Sequence, residues 1–250
     1  MSLKNLSLAT DVEEDKDVLG GFKVLDTGLY FARINRAYIV KSNGGATGVV
    51  FNFDLGDAGE YQETLWVTNK EGQNTYQGKD GKKHSLPGFV TFYNITALAI
   101  EKMPADLDTE EKCLNIYNFE TGKKEPSYVD TLPELEDAEI QLGIVQAKEY
   151  RNRKVDGSYL ITDQVISTNS ISKVFDTDGL TYAERKAQQE EPKFIEEWKG
   201  RFNQEYVNDK TKGVTPQITI EGLNENQEEK PSKKDTKKPS KTLFSKKEEK

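Results

Sequence analysis

The chain has 250 residues with 35 Lys+Arg against 43 Asp+Glu, a hydrophobic fraction of 34 %, one Cys and one His. Cys113 has no partner for an intramolecular disulfide, and Cys113 with His84 falls short of the four ligands of a structural zinc site. No apolar run approaches the ~18–20 residues of a membrane helix, and the acidic start lacks the apolar stretch of a signal peptide, so a soluble, cytoplasmic protein is expected.

In chain order, residues 1–19 hold Asp11, Glu13, Glu14, Asp15 and Asp17 against Lys4 and Lys16, the composition of a flexible acidic arm. The folded body is expected over 20–207. Residues 28–41 (GLYFARINRAYIVK) are long for one strand and predict a bent or bulged one. After Asn43-Gly44-Gly45, Val49, Phe51, Phe53 and Leu55 alternate with Val50, Asn52 and Asp54 as in a strand with one buried face. Asp57-Ala58-Gly59 turns the chain into 61–68 (YQETLWVT), where Leu65 and Val67 face one way and Thr64, Trp66 and Thr68 the other. These three strands form a meander.

Residues 69–88 have no helical or strand period but are rich in Gly and Lys, a long loop of the kind that is usually functional or disordered. Residues 89–103 predict a helix ending before Pro104, followed by strands at 113–119 and 126–130 around Thr121-Gly122 and a strongly alternating strand at 138–150. A further strand pair is expected at 158–162 and 171–175, with turns at 151–154 and 156–157. Thr181 and Glu184 spell a capping box, opening a helical stretch that Pro192 divides, with Phe194, Ile195, Trp198 and Phe202 on one packing face. Residues 208–250 are a Lys-rich tail. Its last part, 230–250, carries a local +6 that leaves −14 for residues 1–229 of a chain whose net charge is −8. With so few apolar side chains it is expected to stay disordered. The order strand, strand, strand, helix, strand, strand predicts a mainly β fold with added helices, a β-barrel of the OB type. A plain β-sandwich with one helix would give a similar string.

Enzyme signatures are poor. Gly72 to Asp80 resembles a phosphate loop, but the spacing is one residue too long and Asp80 replaces the Ser/Thr that would hold magnesium. The pairs Asp106/Asp108 and Asp176/Asp178 lack a spaced set of further oxygen ligands, which makes capping or turn roles the simpler reading; a metal-assisted nuclease built on them is the weakest rival. A catalytic triad would rest on His84 alone. No cofactor, no metal and no catalysis are expected.

The remaining pattern is aromatic and basic. Trp66 lies on the polar side of its strand, where an unstacked base could rest on it. Tyr76 sits among Lys70, Lys79, Lys82 and Lys83; Arg33, Arg36, Tyr38 and Lys41 follow on the first strand; Arg151 and Arg153, with Lys154, lie near the end of the 138–150 strand. In an OB barrel the loops after strands one and four would bring these groups round Trp66. The acidic body argues against a duplex binder, whose affinity depends on broad phosphate neutralisation, but suits a single-strand binder that confines its cations to one groove. A protein–protein interaction module with a basic tether is the alternative.

The segments GLYFARINRAYIVKSNGGA (28–46), ETLWVTNKEGQNTY (63–76), GKKHSLPGF (81–89), DTEEKCLNIYNFETGKKEP (108–126) and DKTKG (209–213), with Leu243-Phe244 near the end, resemble the single-stranded DNA-binding proteins of tailed bacteriophages. The resemblance spans about residues 20–213. It implies an OB-fold protein of the host cytoplasm that coats single strands during phage replication and recombination, with Trp66, Tyr76 and the 79–83 lysines on its binding surface and replication or recombination proteins as partners. The Lys-rich tail departs from the acidic, aromatic-terminated tail of many such proteins, which puts recruitment through it in doubt.

Overall fold

The computed structural model describes residues 24–118, 121–155 and 158–219. The acidic arm expected at 1–19 and the tail from residue 220 onward lie outside them. The described chain forms two compact units, one containing residues up to Glu149 with Ser167–Lys210, the other Tyr150–Ile166 with the residues from Thr211 on.

The first unit begins with the expected meander: β1 (Gly28–Lys41), β2 (Thr47–Asp54) and β3 (Glu60–Trp66), antiparallel in that order. Of the expected bend or bulge in β1, the pairing shows an irregularity, a register shift between Ile34 and Arg36. Next come the small hairpin β4 (Thr75–Gln77) and β5 (Lys83–Ser85), helix α1 (Pro87–Ala99), and the hairpin β6 (Glu110–Asn118) and β7 (Lys123–Thr131). The long strands β8 (Glu139–Val155) and β9 (Ser158–Phe175) follow, then α2 (Tyr182–Lys186), α3 (Phe194–Arg201) and β10 (Val207–Asp209). The main sheet runs β10-β8-β1-β2-β3, with β9 on β8 and β7 joined to β1 at Tyr38↔Thr131.

Alternation decides what this sheet buries. Ile34, Ala37, Phe51, Phe53 and Leu65 point into the core with Ile140, Leu142 and Ile144 of β8, and Phe92 and Ile95 of α1 close it. The rings of Phe51 and Phe53 lie parallel, 5.4 Å between centroids.

The expected closed barrel is not formed. The sheet ends at β3, and a carboxylate takes the place of a ladder carbonyl at its edge: Glu63 Oε2 accepts the Ile171 N–H of β9 at 2.8 Å and the Tyr61 hydroxyl at 2.6 Å. Burial pushes the Glu63 carboxyl above its ordinary range, opposed by these two bonds.

Four further expectations are corrected. The 69–88 stretch is not structureless: Tyr76 pairs His84 in the β4–β5 hairpin, whose turn closes through Gly78 N–H to Lys82 O. Its strands are too short to show a period. The helix expected at 89–103 runs over Pro87–Ala99, because Glu101 takes a left-handed φ of 56° that no helix continues through. The basic run 151–154 belongs to β8 rather than a turn. The strand pair expected at 158–162 and 171–175 is one strand, β9, whose polar middle is held partly by Asn169 bonding Leu25 N–H and C=O at 2.8 Å each.

The C-terminal helices follow the sequence. Thr181 and Glu184 form the capping box, and Glu184 Oε1 also accepts the N–H groups of Lys193 and Phe194 at the start of α3, each at 2.9 Å. Ile195 and Trp198 pack with Val145 and Phe175, and Trp198 lies against Gly143, where any Cβ would come within 2.8 Å of the indole. Phe194 is more exposed, with the Lys173 ammonium 4.7 Å from its ring centroid.

Gly88 sets the approach of α1 to β3, since a Cβ there would fall 2.4 Å from the Trp66 carbonyl oxygen. Gly88→Ala must push the helix off the strand and is expected to cost about 1–3 kcal/mol. A urea titration reads this as a lowered midpoint, and an unchanged midpoint would refute the close approach.

In the second unit, Tyr150–Val155 and Ser158–Ile166 form a ribbon. Thr162 donates to Arg151 O at 2.7 Å, and Gln217 and Ile218 N–H bond Ile161 O.

Candidate nucleic-acid interface

Register places the candidate residues on definite faces. Opposite the core, the outer face of β1–β3 carries the rows Val40–Gly48–Trp66, Tyr38–Val50–Thr64, Arg36–Asn52–Gln62 and Arg33–Asp54–Glu60. Trp66, Arg36 and Arg33 therefore point to the same side of the sheet, with the arginines several residues along from the indole and a covered row between them, where Tyr38 is 7 % and Val50 4 % exposed.

Trp66 is 44 % exposed, a large value for an indole. Its six-membered ring lies over Gly48, where a Cβ would come within 3.0 Å of Cε3, so the missing side chain leaves a flat seat for the ring. The strand in front is Gly at the one position where bulk would tip the ring. Arg33 is held by Asp54 at 3.1 Å, which offsets part of its charge, while Arg36 is exposed.

Two first-strand candidates differ from the rest in placement. Tyr38 is on the outer face but only 7 % exposed, so its ring is not offered to a base. Lys41 is exposed but has the opposite phase to Trp66 at the strand end, pairing with Thr47.

The hairpin after β3 carries the second group. Tyr76 is 46 % exposed, with its ring 5.7 Å from His84, and Asp80 accepts His84 Nε2 at 3.0 Å. That bond, with the Lys82 N–H, holds the Asp80 carboxyl below its ordinary range. Lys79, Lys82 and Lys83 are exposed; Lys70 lies 3.6 Å from Glu71. Arg151 and Arg153 belong to the second unit, where Arg151 bonds Gln164 at 3.4 Å.

The structure adds aromatic residues that the sequence reading passed over. Phe31 is 71 % exposed on the outer face of β1, in phase with Arg33; Tyr128 is exposed on β7, and Tyr159 in the second unit. Phe31 was legible: with Tyr30, Ala32 and Ile34 alternating inward, its outward phase is fixed.

The Asp176/Asp178 pair has structural partners, whereas Asp108 is tied only through its backbone N–H. Asp176 accepts the N–H groups of Asp178 and Leu180 and, with Asp178, grips the Arg185 guanidinium. Asp108 N–H bonds Glu134, which also pairs with Lys102. Among the described residues no group of three or more His, Cys, Asp or Glu side chains is placed to hold a metal ion, and no helix is long and apolar enough to cross a membrane. No protein-family model matches the chain, and comparison with curated proteins gives no match.

Proposed function

We propose that this protein binds single-stranded DNA without catalysis, by stacking bases on Trp66 and Tyr76 and contacting phosphates through Arg36, Arg33 and the hairpin lysines. The observation that carries this reading is the Trp66 indole, seated on Gly48 and open to solvent on a sheet face that also bears arginines. A buried structural Trp has no need of that exposure; Trp198, 3 % exposed, is the contrast within the same chain. The meander followed by a helix and two long strands supports an OB-like relative in which the β6–β7 hairpin is an insertion. The resemblance to phage single-strand binders supports a role in covering exposed strands during phage DNA replication and recombination in the host cytoplasm.

The chain has two tryptophans and one of them is sealed, so quenching by an oligonucleotide reports on Trp66. Titration with oligo-dT is expected to quench fluorescence at low salt and duplex DNA to quench far less. Affinity is expected to fall with salt at a log–log slope of about −0.7 per phosphate contact. Absence of both quenching and a gel shift would overturn the proposal.

A further inference from the structure

Just beyond Trp66, a cleft of about 560 Å³ opens between the end of β3, the 69–74 loop, the β4–β5 hairpin and α1. Val67, Phe89 and Phe92 supply its apolar surface, and Gln73, Asn74 and Lys83 its polar rim. Phe92 is buried, whereas Phe89 is only half-buried, so its ring is the aromatic surface within reach of a ligand.

The rim is built rather than incidental. Asn69 Oδ1 accepts the N–H groups of Glu71 at 3.0 Å and Gln73 at 2.8 Å, which fixes the loop, and Leu86 N–H bonds Asn74 O at 2.9 Å, which ties the loop to the entry of α1. Both bonds at the cleft mouth engage main chain, so the Asn74 and Gln73 amides are exposed at the rim while their backbone is held.

We infer that this cleft takes one base of the bound strand, stacked toward Phe89, with its hydrogen-bonding edge met by the Asn74 and Gln73 amides and an adjacent phosphate by Lys83. The inference rests on the single-strand reading above and extends it from tolerance of every sequence to a preference among bases. The volume falls within the roughly 300–1,000 Å³ of small-ligand sites and is ample for a nucleobase. An amide presents a donor and an acceptor together, the combination that the edge of an unpaired base presents in return. A purely apolar ligand would make no use of either amide, and an anion would meet a single lysine.

The test uses the full chain and tryptophan quenching with oligo-dT, oligo-dC and oligo-dA. The wild type is expected to rank them with about a fivefold or larger spread, the size of one or two hydrogen bonds. Asn74→Ala, and separately Gln73→Ala, alters only an exposed side chain, so the melting temperature is expected to hold while the spread narrows to about twofold, the residue of unequal base stacking. Equal wild-type affinities, or a ranking that survives both substitutions, would overturn the cleft assignment and leave single-strand binding standing. Failure of the wild type to bind any of the three would remove both.

Discussion

Replacing Trp66 by Ala is expected to weaken binding to every single-stranded oligonucleotide by about 5- to 150-fold, the equivalent of the roughly 1–3 kcal/mol that one stacked base contributes. The loss should be uniform across dT, dC and dA, because every base has a π-face and the sheet surface around the indole bears no other feature that favours one base. The protein itself should stay folded: the ring sits outside the core, and its removal uncovers Gly48 and Thr64 rather than opening a cavity. A mobility-shift titration checks affinity, and a thermal melt of the same variant checks the fold. Unchanged affinity with an unchanged melt would mean that the exposed indole has no part in binding.

Glu184→Ala carries the largest expected stability cost. One carboxylate accepts the Thr181 N–H and hydroxyl through Oε2 and the Lys193 and Phe194 N–H groups through Oε1, so it caps α2 and joins it to the start of α3. Burial pushes its pKa up, but the bonds from Thr181, Phe194 and Lys193 outweigh it and hold the group at about 2 against an ordinary 4.5. A group ionised this much more readily in the folded chain stabilises it by about 3 kcal/mol, fully present above pH 4.5 and lost as pH falls from there toward 2. The variant should melt roughly 6–12 °C lower at neutral pH. The gap between wild type and variant should then narrow as pH falls below 4.5, and a gap constant with pH would show that the carboxylate charge is not what the amides hold. Trp198 of α3 lies against Gly143 of β8, so near-ultraviolet circular dichroism should register the same loss as a change in the indole environment.

How far the sequence carried depended on whether a signal was local. The meander was legible because Val49, Phe51 and Phe53 alternate with Val50, Asn52 and Asp54, and a period of two residues fixes the strand and the face its rings bury, although Val50 on the other face is buried as well. The capping box was legible because Thr181 and Glu184 meet within one helical turn. The outward phase of Trp66 beside Leu65 and Val67 was legible in the same way, but that no neighbouring segment seals its ring was not. The unbroken course of β9 was not legible: residues 167–170 (STNS) have loop composition and extend only because β8 and the backbone of Leu25 supply their bonds. Nor was the burial of Tyr38, which depends on segments far along the chain such as β7, whose Thr131 pairs with it.

The amino-acid order by itself determined the faces of the meander strands, the capped start of α2, the outward phase of Trp66 and the uneven charge, since each follows from neighbours within a few residues. The tertiary structure alone decided that the sheet stops short of closure at Glu63, that Gly48 lies beneath Trp66 and Gly88 against its backbone, and that Asn74 and Phe89 border one cleft. Those relations join residues separated along the chain by about 15 to over 100 positions. They depend on packing in three dimensions, where the shape of one side chain is set by what another segment brings to it.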